Sequence, residues 1–271
     1  MRGIYAAGVL DVLMEHQIKV DGVIGVSAGA IHGCSYVSGQ IGRSIRYYRK
    51  YCKDKRFMSI YSWLTTGNIV GTEFCYHDLP EKLDVFDYDT YEKSDVKFYA
   101  TCSNIETGQP EYLQIKDMRK EIDLMRASAS LPFFSEIVEF NGKKYLDGGC
   151  TDSIPVRAFQ KMGYEKCIVI LTRDINYRKK PSNTKLAKLV YRKYPKFCSA
   201  MAMRHINYNH CLMDIQRQEK QGDVFVIRPS EELKIGRMSH DIDEIQHTYD
   251  IGRKDAEAAI QRLEQWMADN A

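Results

Sequence analysis

Apolar residues recur along this chain at two kinds of spacing, one typical of helices and the other of buried strands. Spacings of three and four predict helices over residues 6–16 and 28–37, and short continuous apolar runs predict strands over 20–26 and 167–172. The same criteria predict further helices over 41–51, 117–128 (with Asp117 as N-cap), 156–162 and around 256–267, and a helix that follows the basic stretch after Arg173 and ends at about Gln221. They predict further strands over 97–102, 111–115, 137–140, 144–146 and 224–227. This alternation indicates an α/β protein with a mainly parallel sheet.

Composition and charge exclude several classes of protein. The chain has 271 residues, with 39 basic and 36 acidic side chains, and its net charge of +3 is too small to indicate nucleic-acid binding. The eight cysteines include no Cys-x-x-Cys pair, so we expect the reduced thiols of a cytoplasmic protein, without disulfides or a zinc site. No apolar run of about 18 residues predicts a membrane-spanning helix. No motif indicates a metal or an organic cofactor.

The pentapeptide Gly25-Val26-Ser27-Ala28-Gly29 has the form Gly-x-Ser-x-Gly and lies between a predicted strand and a predicted helix. In this context the motif predicts a serine nucleophile on a sharp, strained turn. We expect a side chain at either Gly25 or Gly29 to collide with neighbouring backbone. The Ser27 hydroxyl would point outward at a helix N-terminus, where the backbone N–H of Ala28 can stabilise a developing oxyanion. The alternative is a glycine-rich turn with a structural role only.

A serine nucleophile needs a general base, and the sequence leaves two kinds of base open. The chain order of α/β-hydrolases would be satisfied by Ser27, Asp147 and one of four later histidines, His205, His210, His240 or His247. Those folds place several strands before the nucleophile, however, and only 26 residues precede Ser27. The other candidate is Asp147 alone, because Asp147-Gly148-Gly149 follows a predicted strand and its glycines permit a tight turn.

Together these motifs resemble the patatin-like phospholipases, and the bacterial branch more than the plant storage proteins. The resemblance covers roughly residues 1–175. It is carried by Arg2-Gly3 with the helix that follows, by the Gly-x-Ser-x-Gly and Asp-Gly-Gly motifs, and by the small-residue segment from Arg126 to Pro132. It implies a three-layer α/β/α fold with a central, mostly parallel sheet over residues 1–175. Residues 176–271 would form a mainly helical C-terminal extension packed on the same domain.

The resemblance also implies lipid acyl hydrolysis by a Ser27–Asp147 dyad, without a catalytic histidine and through an acyl-enzyme. The oxyanion hole would be formed by Arg2, Gly3 and Ala28. Four glycines would support the two motifs, namely Gly25, Gly29, Gly148 and Gly149. The family's Gly-Gly-Gly-x-Arg-Gly loop is represented here only by Met1-Arg2-Gly3. We therefore expect its glycines, and the strand before them, to be encoded upstream of Met1; the alternative is that the protein lacks this loop.

Three functional hypotheses follow from the sequence. The first is a serine hydrolase acting on phospholipid, lysophospholipid or simpler acyl esters; the others are a Ser–His–Asp esterase and a non-catalytic lipid-binding protein. The basic, tyrosine-bearing stretch over residues 177–197 predicts peripheral contact with an anionic membrane, and its alternative is a solvated helix face. The aromatic segment over 57–70 predicts either a mobile flap over an acyl channel or simple packing. The sequence does not indicate the acyl length, the head group or the oligomeric state.

Overall fold

The computed structural model describes residues 1–236 and 238–270. Its strands are β1 (Gly22–Val26), β2 (Lys97–Asn104), β3 (Gln109–Gln114), β4 (Val138–Phe140), β5 (Lys143–Asp147), β6 (Cys167–Ile170) and β7 (Val224–Ile227). Its α-helices are α1 (Ile4–Glu15), α2 (Ala28–Val37), α3 (Arg43–Tyr51), α4 (Ile60–Thr66), α5 (Tyr88–Lys93), α6 (Ile122–Ala129), α7 (Val156–Lys161), α8 (Lys185–Val190), α9 (Pro195–Gln221) and α10 (Ile242–Asp269). A π-helical segment (Phe74–Leu83) lies between α4 and α5, and a 3-10 turn (Gly148–Cys150) follows β5.

The hydrophobic pattern predicted most of these elements to within a few residues, and α2 and β7 have the predicted bounds. The predicted start of α6 was wrong. The Asp117 carboxylate accepts the backbone N–H groups of Arg119 and Lys120, so it closes a separate turn instead of capping the helix. The helix itself begins at Ile122.

The last helix also begins earlier than its apolar stripe suggested. It starts at Ile242 rather than near Ala256, after the Asp241 side chain accepts the backbone N–H groups of Asp243 and Glu244. An aspartate in this position stabilises a helix start because it satisfies amides that have no partner within the helix. The first half of α10 was missed because its sequence is mostly polar.

Strands β1 and β5 meet end to end along one edge of β2. β1 runs parallel to the first part of β2 and places Val26 opposite Thr101. β5 runs antiparallel beside the next residues and places Asp147 opposite Cys102. β3 pairs with the other edge of β2, and β4 pairs with β5. Because β1 and β5 both end at the same point beside β2, Ser27 and Asp147 become neighbours.

Helices cover both faces of this mixed sheet and form three layers. Val23 and Phe98 face a core built by α2 and α6, whereas Ile24 and Tyr99 face a core built by α7 and α9. β6 and β7 form a separate parallel pair, with one face towards α7 and α9 and the other towards α1 and α10. The predicted α/β/α fold class is therefore confirmed, and antiparallel pairing involves β3, β4 and β5.

Helix α10 packs directly against α1 through a pair of glycines. A Cβ on Gly8 would lie 2.2 Å from the carbonyl oxygen of Tyr249, and a Cβ on Gly252 would lie 2.1 Å from that of Tyr5. The backbones can approach this closely only because neither residue has a side chain. The Tyr249 hydroxyl also donates a hydrogen bond to the buried carboxylate of Asp11. The C-terminal helix thus shares a core with the first helix of the chain.

Three further features concern the described residues as a whole. All eight cysteines are free thiols. Over residues 1–236 and 238–270, no helix has the length and apolarity needed to cross a bilayer. Within the same ranges, no group of three His, Cys, Asp or Glu side chains is arranged to hold a metal ion.

Candidate active site

Ser27 occupies a strained turn between β1 and α2. Its backbone torsions are φ +54° and ψ −120°, a combination that residues with a Cβ rarely adopt. Its carbonyl accepts the backbone N–H groups of Ala30 and Ile31, so α2 starts immediately after it. The turn leaves Ser27 on the wall of a large cavity, beside the amino end of α2.

Close packing explains one of the two glycines in this motif. A Cβ on Gly25 would lie 2.4 Å from the Cα and N atoms of Ala30, so a side chain there would force β1 and α2 apart. A Cβ on Gly29 would meet no atom within 4 Å. The collision expected at Gly29 was therefore wrong, because this residue borders the cavity rather than neighbouring backbone.

The Asp147 carboxylate is buried at the end of β5, next to the Ser27 side chain, which favours its charged form. Its Oδ1 accepts the backbone N–H of Gly149 at 2.8 Å. Burial raises the pKa of Asp147, and the opposing effects of Ser27, of the Gly149 N–H and of the nearby Arg204 charge do not cancel this rise. The result is a carboxylate that is more basic than an exposed aspartate and lies against a serine hydroxyl.

Gly148 and Gly149 permit the tight turn behind this carboxylate. A Cβ on Gly148 would lie 2.1 Å from the carbonyl oxygen of Thr101 in β2. A Cβ on Gly149 would lie 3.0 Å from Asp147 Oδ1 and 3.2 Å from Arg204 Nη2. A side chain at the first position would push the turn away from the sheet, and one at the second would crowd the carboxylate.

The carboxyl end of α6 holds the backbone of both residues in place. The buried Ser128 hydroxyl accepts the Ser27 N–H at 3.0 Å and donates to the Thr101 carbonyl at 2.7 Å. The Ser130 carbonyl accepts the N–H of Asp147 at 2.8 Å. Sequence reasoning assigned no role to Ser128, because its contact with Ser27 joins residues 101 positions apart and no local pattern encodes it.

The three residues predicted for the oxyanion hole lie together on the cavity wall. Ala28 is the first residue of α2, where backbone N–H groups lack partners within the helix and the helix dipole is positive. Gly3 packs so closely against it that a Cβ on Gly3 would lie 2.4 Å from the Ala28 Cβ. Arg2 precedes Gly3 on the same wall. Their role in catalysis stays a prediction.

Four histidines were considered as bases, His205, His210, His240 and His247. None of them is among the described residues that line the cavity. Two of them contact nearby backbone carbonyls, and the other two are exposed. His32, on α2, is buried against the Ser44 hydroxyl, and burial lowers its pKa to about 3, so it is neutral. Among the described residues, the candidate base next to the Ser27 side chain is instead the Asp147 carboxylate.

The cavity beside Ser27 has a volume of about 1340 Å³. Both β1 and β6 contribute to its walls, and no strand of the described ranges pairs with the edges that these two strands leave open. Apolar side chains from several elements line it, including Met58, Ile69, Leu131, Phe133, Phe134 and Met201. Ligand pockets commonly measure about 300–1,000 Å³, so this cavity can accommodate an extended acyl chain.

Helix α9 contributes a residue to this cavity that the sequence analysis did not single out. Arg204 lies beside Gly149, and its Nε is buried without a hydrogen-bond partner. Basic residues are frequent in the preceding stretch, so nothing in the sequence distinguishes this arginine from its neighbours. Only the packing of α9 against the 3-10 turn reveals it.

Comparison with known proteins finds two matched regions, and the first of them contains this site. The family described as patatin-like phospholipase matches residues 1–159, and a domain of unknown function (DUF6363) matches residues 194–268. The protein YjjU of Escherichia coli, described as uncharacterized, is 29% identical over 181 residues, which are 63% of this chain and 49% of that protein. Lysophospholipase NTE1 of Candida albicans is 28% identical over 187 residues, or 65% of this chain and 13% of that protein.

The matched region therefore spans about half of the bacterial relative and a small part of the fungal one. It contains both Ser27 and Asp147, and the patatin-like match alone extends over more than half of the chain. This chain belongs to the patatin-like phospholipase family.

Proposed function

We propose that this protein is a serine lipid acyl hydrolase, with Ser27 as nucleophile and Asp147 as general base. One observation carries the proposal: a serine on a strained turn contacts a buried carboxylate on the wall of a cavity large enough for an acyl chain. Membership of the family supports lipid ester hydrolysis in general. Phospholipid, lysophospholipid and simpler acyl esters are the proposed substrates, and the fungal relatives named lysophospholipases agree with this class.

The reaction proceeds in two halves through an acyl-enzyme. Ser27 Oγ attacks the ester carbonyl carbon while the Asp147 carboxylate accepts the hydroxyl proton. The tetrahedral intermediate then expels the alcohol, which leaves with that proton, and the acyl group remains on Ser27. In the second half Asp147 accepts a proton from water, whose oxygen attacks the acyl carbon. The fatty acid departs, and Ser27 regains its proton.

Negative charge develops on the carbonyl oxygen in both halves of this reaction. The backbone N–H of Ala28 is the first donor that we propose for it, with Arg2 and Gly3 completing the oxyanion hole. Each such donor lowers the barrier by roughly 2.7–4 kcal/mol in enzymes where it has been removed. Asp147 is a weak base compared with histidine, so these donors and the raised pKa of the carboxyl both contribute to the rate.

The test is fatty-acid release from p-nitrophenyl butyrate and from a lysophospholipid. We expect Ser27→Ala to lower both rates at least about 10³-fold, and Ser199→Ala, at an exposed serine of α9, to leave them unchanged. Retained hydrolysis in Ser27→Ala would refute the nucleophile. Activity that depends on His205, His210, His240 or His247 would favour the Ser–His–Asp alternative. Lipid binding without turnover in the wild type would favour the non-catalytic one.

We further propose peripheral contact with an anionic membrane through a surface that we call the apolar rim. Its exposed side chains are Ile60, Tyr61, Trp63, Leu64, Leu131, Phe134, Leu186, Leu189 and Val190, from α4, the segment after α6, and α8. The three parts adjoin, because the Trp63 and Phe134 rings lie 6.1 Å apart and the Phe133 N–H donates to the Tyr191 hydroxyl just after α8. Lys185 and Lys188 lie on α8 beside the apolar side chains.

Co-sedimentation with vesicles tests this contact. The double variant Leu64→Ser/Leu189→Ser should bind phosphatidylcholine–phosphatidylserine vesicles several-fold more weakly, because it removes apolar area from two parts of the rim. Val85→Ser, at an exposed apolar residue outside the rim, is the matched control. Equal binding by all three proteins would show that the rim does not contact the bilayer.

A further inference from the structure

A half-buried cation beside the candidate active site has one buried donor, Nε, that lacks a hydrogen-bond partner. Arg204 extends from α9 to the turn behind Asp147, with Nη2 3.2 Å from the position of a Cβ on Gly149. Its Nε is buried and makes no hydrogen bond. An unsatisfied buried donor costs roughly 1–3 kcal/mol, and more when the group is charged. Because the Arg204 side chain also lines the cavity, its guanidinium can donate hydrogen bonds to a ligand that binds there.

Two of the other cations that line the cavity, Arg173 and Lys179, are held in place by tyrosine rings. The guanidinium carbon of Arg173 lies 4.3 Å from the Tyr177 ring, and Lys179 Nζ lies 4.9 Å from the Tyr208 ring. The two rings pack edge to face with their centroids 5.9 Å apart. A cation–π contact orients a cationic side chain without neutralising its charge.

Positive charge exceeds negative charge at this end of the cavity. Arg204 and Lys179 both act on the buried Cys150 thiol, where their charges oppose the rise in pKa caused by burial, so the two cations adjoin the same residue. Among the described residues that line the cavity, Asp147 is the acid next to Ser27. The others stand at the amino ends of β1 and β6, and they are Asp21 and Glu165.

We propose that Arg204, together with Arg173 and Lys179, binds the phosphate of the substrate and thereby sets its acyl ester against Ser27. A guanidinium offers paired N–H donors that match phosphate oxygens, and the lysine adds charge. The inference rests on the proposed function and narrows its substrate class to glycerophospholipids and lysophospholipids. In these molecules the phosphate lies only a few bonds from the ester.

The experiment measures binding to the Ser27→Ala protein, in which the ligand stays intact. The probes are lysophosphatidate and a monoacylglycerol with the same acyl chain, which differ only in the phosphate, both below their micellar concentrations. Calorimetry should show that adding Arg204→Gln weakens lysophosphatidate binding at least about tenfold, and weakens monoacylglycerol binding far less. Arg262→Gln, at an exposed arginine of α10, makes the same charge change and should weaken neither.

Two more variants keep the test decisive if Arg204→Gln folds poorly. Arg204→Lys should retain part of the preference for phosphate, because it keeps the charge and loses the planar fork. Lys179→Gln should weaken lysophosphatidate binding while the sequence of α9 stays unchanged. Binding requires no turnover, so a failure here differs from a failure of the Ser27 mechanism, which appears only in hydrolysis.

Three outcomes would overturn the proposal. Equal losses for the two lipids would show that Arg204 supports the fold rather than the phosphate. A pH–rate profile on a neutral ester that moves to higher pH in Arg204→Gln, with no change in phosphate preference, would make it a positioning residue for Asp147. Competition by inorganic phosphate at the same concentrations as lysophosphatidate would indicate an ion site that does not recognise the lipid.

Discussion

Residues 1–159 and residues 194–268 contribute to one cavity in different ways. In the first region the proposed catalytic residues stand at strand ends within short glycine motifs, and backbone hydrogen bonds hold each of them. In the second region two long helices contribute side chains to the cavity wall, among them Met201, Arg204 and Tyr208. They also form a packing surface against α1. The first region thus has the features of a reaction centre, and the second those of a binding wall and a support.

This difference shows how one fold can keep its chemistry while its specificity varies. The register of β1 and β5 on β2 determines where Ser27 and Asp147 meet, and α9 is not needed for that contact. A change in α9 would instead alter what the cavity binds. On our proposals, substitutions in the first region should therefore remove turnover, whereas substitutions in the second should alter ligand preference or stability.

The largest effect is expected from Asp147→Asn. The amide can still accept the Gly149 N–H but cannot take the Ser27 proton, so kcat on p-nitrophenyl butyrate should fall about 10³-fold. Burial raises the pKa of Asp147, and only the ionised carboxylate is a base. The wild-type kcat/KM should therefore fall as the pH drops through that raised pKa, at a higher pH than for an exposed aspartate. A pH–rate profile of both proteins measures this.

The same variant should be more stable than the wild type at neutral pH. Because the folded-state pKa of Asp147 lies above its unfolded value, stability from this group is present at low pH and is lost as the pH rises through the folded-state pKa. Asn carries no such penalty. Asp11→Asn is the matched control, a buried carboxylate whose pKa burial also raises, and it should remain active. Full activity in Asp147→Asn would show that a group other than Asp147 is the general base.

The sequence predicted those site residues that lie in a local motif and missed those that do not. Ser27 and Asp147 were found because each lies in a contiguous pattern whose glycines indicate special backbone geometry. Ser128 could not be found in this way, because its role depends on how α6 packs against β2, where its hydroxyl contacts both Thr101 and Ser27. Arg204 could not be found because a helix surface contains many arginines, and only the fold selects one.

The secondary structure shows the same limit. Short strands and apolar helices such as α2 were predicted because their burial appears in the sequence as periodicity. The early start of α10 was missed, although Ile245 and Tyr249 are buried four residues apart, because polar residues surround them. The collision expected at Gly29 was wrong because a motif shows that a glycine is present, not what lies opposite it.

The next largest effect is expected where the two regions touch. Gly252→Val places a side chain where a Cβ alone would lie 2.1 Å from the Tyr5 carbonyl oxygen, so α10 and α1 must separate. We expect the free energy of unfolding to fall by about 2–3 kcal/mol, although valine has the better helix propensity. Ala258→Val, at an exposed position of the same helix, should change it by less than about 1 kcal/mol. Urea denaturation measures both, and equal changes would mean that α10 does not stabilise the first region.

The smallest effect concerns the backbone strain at Ser27, which lies in the first region. Ser27→Gly and Ser27→Ala both remove the nucleophile, but only glycine adopts φ +54° without strain. Strain of about 1–3 kcal/mol exceeds the cost of the more flexible unfolded chain, so the glycine variant should be the more stable by about 1 kcal/mol. At Ser199, an exposed helical residue in the second region, the order should reverse, with alanine more stable than glycine by about 1 kcal/mol. Thermal denaturation of the four variants measures the two differences. An alanine preference at both positions would mean that the nucleophile turn stores no strain, and the two regions would then differ in chemistry but not in backbone energetics.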